Sequence, residues 1–274
     1  MISSFIITFR ETLEAALIIG IILSYLAKTK ETKYNKIVYL GVFAGVIASI
    51  LGAIGFHYIA GGFEGAAEEI FEGITMMIGA GLLTWMILWM LQQKRVAQKL
   101  KDKVHFHVSR AMRFELFFLV FVAVLREGIE TVIFLNAAAF VSESGTLSGA
   151  FLGIIAAIIL GYVMFVMALK VNLKIFFNIT SILLILFASG LVAHGIHEFQ
   201  EAGLIPVIQE HLFDINPPVT EEGIYPSLHE KGTIGSIAKG LFGYNGDPSL
   251  IEVFSWLLYL VIISYSWYWI DKRK

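Results

Sequence analysis

Two short stretches decide how this chain folds: Phe9-Arg10-Glu11-Thr12-Leu13-Glu14 and Leu125-Arg126-Glu127-Gly128-Ile129-Glu130. Each sets an arginine and two carboxylates in the middle of a long apolar run. An ionised side chain at the centre of a bilayer costs about 2.5–3.5 kcal/mol on insertion scales, and more in simulations. Such groups must face the interior of a helical bundle, pair with one another, or bind something. Outward from these stretches, the sequence reads as seven apolar spans: 2–27, 37–60, 70–91, 114–141, 148–169, 175–200 and 249–270. A hydrocarbon core of roughly 30 Å takes about 20 helical residues, so each is long enough. Alternating ten-residue strands are absent, which argues against a β-barrel. The first segment has no basic leader and no small-residue cleavage site, so it reads as a retained span.

Composition agrees. The 274 residues are 57% hydrophobic and 15% charged, with a net charge of −2 and a mean hydropathy of +0.78. Soluble domains carry about 25% charged residues. Near-neutral charge excludes a nucleic-acid partner, which needs a basic footprint. The absence of cysteine removes disulfide scaffolds, zinc ribbons, thiolate clusters and a Cys nucleophile. The chain is expected to be an all-α, multi-pass protein of the cell membrane, in contact with the lipid bilayer. No G-x-x-x-x-G-K-[ST] loop offers ATP drive.

The loops alternate in sign. Residues 28–36 hold four lysines, 92–113 hold seven Lys/Arg, Lys170 and Lys174 flank a short turn, and the tail ends Lys272, Arg273, Lys274. The intervening loops carry only Lys231 and Lys239. The positive-inside rule then puts the N-terminus outside and the C-terminus in the cytoplasm. The outer side is acidic, and its last loop, 201–248, holds all five prolines, so it should be irregular with at most short helices. Clustered carboxylates there would draw cations towards the membrane.

The two charged stretches sit in the first and fourth spans, and the following spans also match: GVFAGVIAS from Gly41 and GAFLGIIAA from Gly149. One repeat of three spans (1–91) and a second (114–200) flank a cytoplasmic loop, 92–113. The outer loop 201–248 and a seventh helix, 249–270, complete a single transmembrane domain. Three is odd, so the second copy enters the membrane from the opposite side. This is the 3+3 inverted repeat of secondary transporters, whose sites lie near the midplane. At 1.5 Å per residue, Glu11 and Glu14 lie roughly 15 Å below the outer end of span one. Glu127 and Glu130 lie roughly 20 Å above the inner end of span four.

Within each motif the two glutamates are three residues apart and share a helix face, while the arginine stands four residues before the second glutamate. A purely structural pair of buried salt bridges would leave four carboxylates against two guanidiniums. Two uncompensated negative charges in a low-dielectric site demand a proton or a cation. Carboxylate oxygens are hard donors suited to Ca²⁺, Mn²⁺ or iron, Fe³⁺ especially. A second, outer loading site is expected from Glu69 and Glu72 with His194, His197, Glu198 and Glu201 of the HGIHEFQE stretch. A carboxylate-bridged membrane metallo-oxidase is the enzymatic rival, but such bundles add Glu-x-x-His motifs that the central spans lack. A carrier of Mn²⁺ or Ca²⁺ is the nearest rival within transport.

The paired R-E-x-x-E motifs resemble those of the oxidase-dependent, high-affinity iron permeases (the iron/lead transporters). The resemblance continues through EEIFEGITMMIGAGLLTWMILWM, HEFQEAG and LFGYNGDPS, over nearly the whole chain. It implies a seven-span permease, not an enzyme, importing iron that has been oxidised to Fe³⁺. Glu11, Glu14, Glu127 and Glu130 would bind and pass the ion, with Arg10 and Arg126 as organisers. Iron would be the substrate, with no other cofactor, and a separate iron oxidase or extracytoplasmic iron-binding protein would be the partner. Family members usually show R-E-G-hydrophobic-E in both copies; here Thr12 replaces the first glycine.

Overall fold

The computed structural model describes residues 1–92, 113–141, 145–165, 167, 172–219 and 225–272. Among them every apolar run is helical and there is no strand. The helices are α1 (Ile2–Lys28), α2 (Asn35–Ala60), α3 (Ala66–Gln92), α4 (Arg113–Val141), α5 (Thr146–Phe165), α6 (Leu173–Glu201), α7 (Thr233–Phe242) and α8 (Leu250–Lys272). A 3₁₀ turn, Thr32–Tyr34, leads into α2. The basic residues expected within 93–112, together with Lys170, Arg273 and Lys274, lie outside the described residues, as do Glu221 and Glu222.

Among the described residues, five segments are long and apolar enough to cross a membrane: Thr32–Ala60, Ala66–Met90, Thr146–Phe165, Ile175–Glu201 and Leu250–Ile270. Helices α1 and α4 are as long, at 27 and 29 residues, but their apolar sequence is interrupted by the charged motifs. The span expected to run to residue 169 is described as helix to Phe165; residues 166, 168 and 169 lie outside the described residues. The Met167 N–H reaches back five residues to the Tyr162 carbonyl at 3.4 Å. Among its described residues, the outer loop is irregular apart from the ten-residue α7.

In lipid, helices associate through close packing of small residues more than through apolar burial. That rule sets the pairings here. Helix α1 lies along α5, α2 along α4 and α3 along α6, and α1 crosses α4. Met1, just before α1, and Thr8 and Ala16 within it meet Gly149, Gly153 and Gly161 of α5 in order, so this pair runs parallel. Helices α2 and α4 pack in the same way. A methyl group on Gly45 would strike Val124 and the Phe121 carbonyl, and one on Gly153 would strike Thr8 and the Phe5 carbonyl. Val124 and Thr8 each precede their motif arginine by two residues, and Phe121 and Phe5 by five. The Thr8 hydroxyl also donates to the Ala150 carbonyl at 3.0 Å. Helix α3 runs antiparallel to α6: Gly73 meets Gly195 and Phe199, and Gly79 meets Leu191.

Two apolar clusters bracket the motifs. One joins Ile7 of α1, Met76 to Ile87 of α3, Phe134 to Val141 of α4, and Leu184 to Leu191 of α6. The other joins Ile22 and Leu26 of α1 to Tyr34, Val38, Leu116, Val120 and Val124. Along both α1 and α4 the charged residues therefore lie in a polar layer between two dry ones. Helix α8 leans on α6 and α3, where Tyr259 and Thr84 share a hydrogen bond of 2.7 Å.

Candidate metal centre

Helices α1 and α4 turn their motifs towards each other. Glu11, Glu14 and Glu127 each place a carboxylate oxygen within 4.8 Å of the other two. Oxygens on opposite sides of an ion bound at roughly 2.0–2.6 Å lie roughly 4–5 Å apart, so this spacing suits one hard cation. Glu130 stands beside this triad, held by Arg126. Three of the four expected ligands thus converge.

Each arginine takes the carboxylate four residues on. Arg10 Nε donates to Glu14 at 3.1 Å, and Arg126 Nε donates to Glu130 at 2.8 Å. The remaining glutamates keep free oxygens. Both oxygens of Glu11 are buried without a hydrogen-bond partner, as are Glu127 Oε2 and Glu130 Oε2. An unsatisfied buried polar atom costs about 1–3 kcal/mol, more when charged. The layer is therefore short of positive charge and of donors, and a cation or protons would supply the deficit.

The arginines rest on one stretch of α3. Arg10 Nη2 points to the Met90 sulfur at 3.1 Å, and Arg126 lies over the rings of Trp85 and Trp89 at 5.9 and 5.5 Å. Trp85, Trp89 and Met90 escaped the sequence reading, because aromatic and Met residues at helical spacing look like ordinary core. The Thr12 departure has a packing correlate. A Cβ on Gly128 would overlap the Ser49 side chain of α2. In the matched stretches the residue equivalent to Ser49 is Ala157, so the copy with the smaller neighbour carries the larger motif residue.

The outer candidates are less closely gathered than the inner ones. Among the described residues, Glu11, Glu14 and Glu127 are the one group of three whose ligand atoms gather closely enough. His197 instead bridges two carboxylates, Nε2 to Glu201 at 3.2 Å and Nδ1 to Glu252 at 3.1 Å. His194 is buried and bonds the Gly190 carbonyl through Nδ1 at 3.0 Å. Glu198 lies within electrostatic reach of Glu69, and Glu72 sits on α3 one turn further in. Glu252 was missed. It is buried near the start of α8 and also receives Asn245 at 2.9 Å and the Ser249 N–H at 3.2 Å. Its signal was available, since it is a lone carboxylate entering an apolar span.

The iron permease FTR1 family model matches residues 1–274. The chain belongs to the iron permease FTR1 family. Among curated proteins it is 34% identical over 269 residues to the ferrous iron permease EfeU of Escherichia coli O6:H1, covering 95% of this chain and 93% of the relative. It is 33% identical over 269 residues to the EfeU of Yersinia pestis, covering 95% and 91%. No solved structure matches the chain. Family membership and the five apolar helices make it a multi-pass protein of the cell membrane, of a family whose substrate is iron.

Proposed function

We propose that this protein imports iron through the carboxylate layer formed by α1 and α4. The observation that carries this reading is the triad of Glu11, Glu14 and Glu127, in which Glu11 and Glu127 are buried and keep unpartnered oxygens. Glu130 completes the set as the ion moves, and Arg10 and Arg126 hold Glu14 and Glu130 in place. Helices α1 and α4 count as spans beside the five apolar ones, giving seven, with the N-terminus outside and the C-terminus in the cytoplasm. Residues 1–91 and 114–200 are the two inverted copies. The matching approaches of Gly45 to α4 and Gly153 to α1 support that division. Release follows protonation of the coupled glutamates, or rocking of one copy against the other.

The ion presented to the layer is Fe³⁺, supplied after oxidation by a separate oxidase or iron-binding partner at the outer face. All-carboxylate ligation suits the harder ion. The relatives' names favour a second reading, Fe²⁺. Radio-iron flux into proteoliposomes, comparing Fe²⁺ with Fe³⁺ and an imposed pH gradient with none, separates the two. Flux of Mn²⁺ or Ca²⁺ in preference to either form of iron would overturn both.

A further inference from the structure

Outside the membrane layer lies a cavity of about 410 Å³, within the range of roughly 300–1,000 Å³ that holds small-molecule ligands. His194 at the end of α6, Lys239 of α7, and Glu230, Lys231 and Asp247 of the connecting segments line it. Its two lysines are the only Lys or Arg residues of the otherwise acidic outer loops. Neither forms an ion pair among the described residues; Lys231 rests on the Tyr225 ring at 5.9 Å. Lys239 is half-buried, a position in which an ammonium favours an anionic partner.

The same wall carries lone pairs. The Nδ1–H of His194 is given to the Gly190 carbonyl, so its Nε2 is bare, and a backbone carbonyl commonly sets a metal-binding imidazole in this way. Asp247 Oδ2 accepts from His211 Nδ1 at 2.7 Å, while its Oδ1 is buried without a partner. Glu230 forms no ion pair among the described residues. A bare cation is opposed by two ammonium groups. A simple anion is opposed by two carboxylates and an imidazole lone pair. A cation enclosed in its own anionic ligands answers both sets of groups. It also needs no three-residue protein cluster, in keeping with the lack of one among the described outer residues.

We propose that this cavity receives iron as a small carboxylate complex. Lys231 and Lys239 hold the complex's carboxylates, and one of the lone-pair groups, His194, Glu230 or Asp247, completes the metal's coordination. The inference rests on the iron-transport reading and adds the form in which the ion arrives. Ferric iron hydrolyses in neutral water and stays dissolved only when complexed, which makes a built receiving site useful.

The test is calorimetric titration of the full chain in lipid nanodiscs with ferric citrate, with citrate alone and, anaerobically, with ferrous sulfate. Ferric citrate is expected to bind more tightly than citrate. The double substitution Lys231→Ala and Lys239→Ala should weaken it about tenfold or more, and arginine at both positions should restore it. Unchanged affinity in the double alanine variant, or citrate binding as tightly as its iron complex, would overturn the proposal. Iron flux without ferric citrate binding overturns this inference alone. Binding without flux in the wild type would instead overturn the transport reading.

Discussion

The two motif copies share a pattern and differ in surroundings. Arg10 has no exposed side-chain surface, while Arg126 is 38% exposed. Arg10 has a Met sulfur beside it and one nitrogen, Nη1, with no partner. Arg126 has two indole faces, and stands 3.9 Å from Glu127 as well as 2.8 Å from Glu130. The first copy is thus a sealed charge pair and the second an edge pair steadied by aromatic rings. The shared charge pattern has produced unequal electrostatics, because α3 meets the two arginines with chemically different side chains.

The largest expected effect separates the arginines. Arg10→Ala strands the Glu14 carboxylate inside the bundle and should cost about 3–5 kcal/mol. Arg126→Ala removes a half-exposed pair and a cation–π contact, about 1–2 kcal/mol. Thermal unfolding in detergent, followed by size-exclusion, reads both, and equal losses would erase the distinction drawn between the copies.

The motif's third position gives the next test. Gly128→Ala should destabilise by about 1–3 kcal/mol through overpacking on Ser49. Ser49→Gly in the same chain should recover most of that loss, as a double-mutant cycle would show. Additive costs would mean that Ser49 is not what requires a glycine at 128.

A smaller effect belongs to α3. Trp89→Leu should raise the KM for iron through Arg126 by about 0.5–2 kcal/mol, with Trp89→Phe retaining most of the contact. Met90→Leu removes only a weak sulfur acceptor and should act through Arg10 by less. Initial-rate measurements over iron concentration test the order, and a Met90→Leu effect exceeding that of Trp89→Leu would reverse it.

The smallest lies outside the membrane, at His211. Its hydrogen bond to Asp247 raises its pKa above the ordinary value. A raised histidine pKa contributes stability that is present below about pH 6.5 and is lost as pH rises through the folded value. Protection of the Asp247 segment from proteolysis should therefore fall between acidic and mildly alkaline buffer, and His211→Ala should abolish that dependence. An unchanged profile in the variant would place the titrating group elsewhere.

Much of this was legible in sequence because lipid leaves few options. Among the described residues, the long helices and their approximate ends followed from apolar length, and the turning of the two motifs towards each other from the cost of leaving charge in lipid. The matching glycine stretches marked the close approaches of α2 and α5, since only residues without a Cβ admit the carbonyls of Phe121 and Phe5. What was hidden depends on side-chain direction. Nothing in the one-dimensional pattern says that Met90 and Trp89 would reach opposite arginines, or that Glu252 would claim His197 from the expected outer metal site. The lysines of an acidic loop read as incidental until the fold brought both to one cavity.

The central claim is that the carboxylates of α1 and α4 carry the ion together. Its most direct measurement is radio-iron flux into proteoliposomes for the wild type, Glu11→Gln, Glu127→Gln and the double variant, each checked for correct folding by size-exclusion. The account predicts that each single substitution slows the initial rate about tenfold or more and that the double adds little, because both remove the same site. Wild-type rates in both single variants would contradict it.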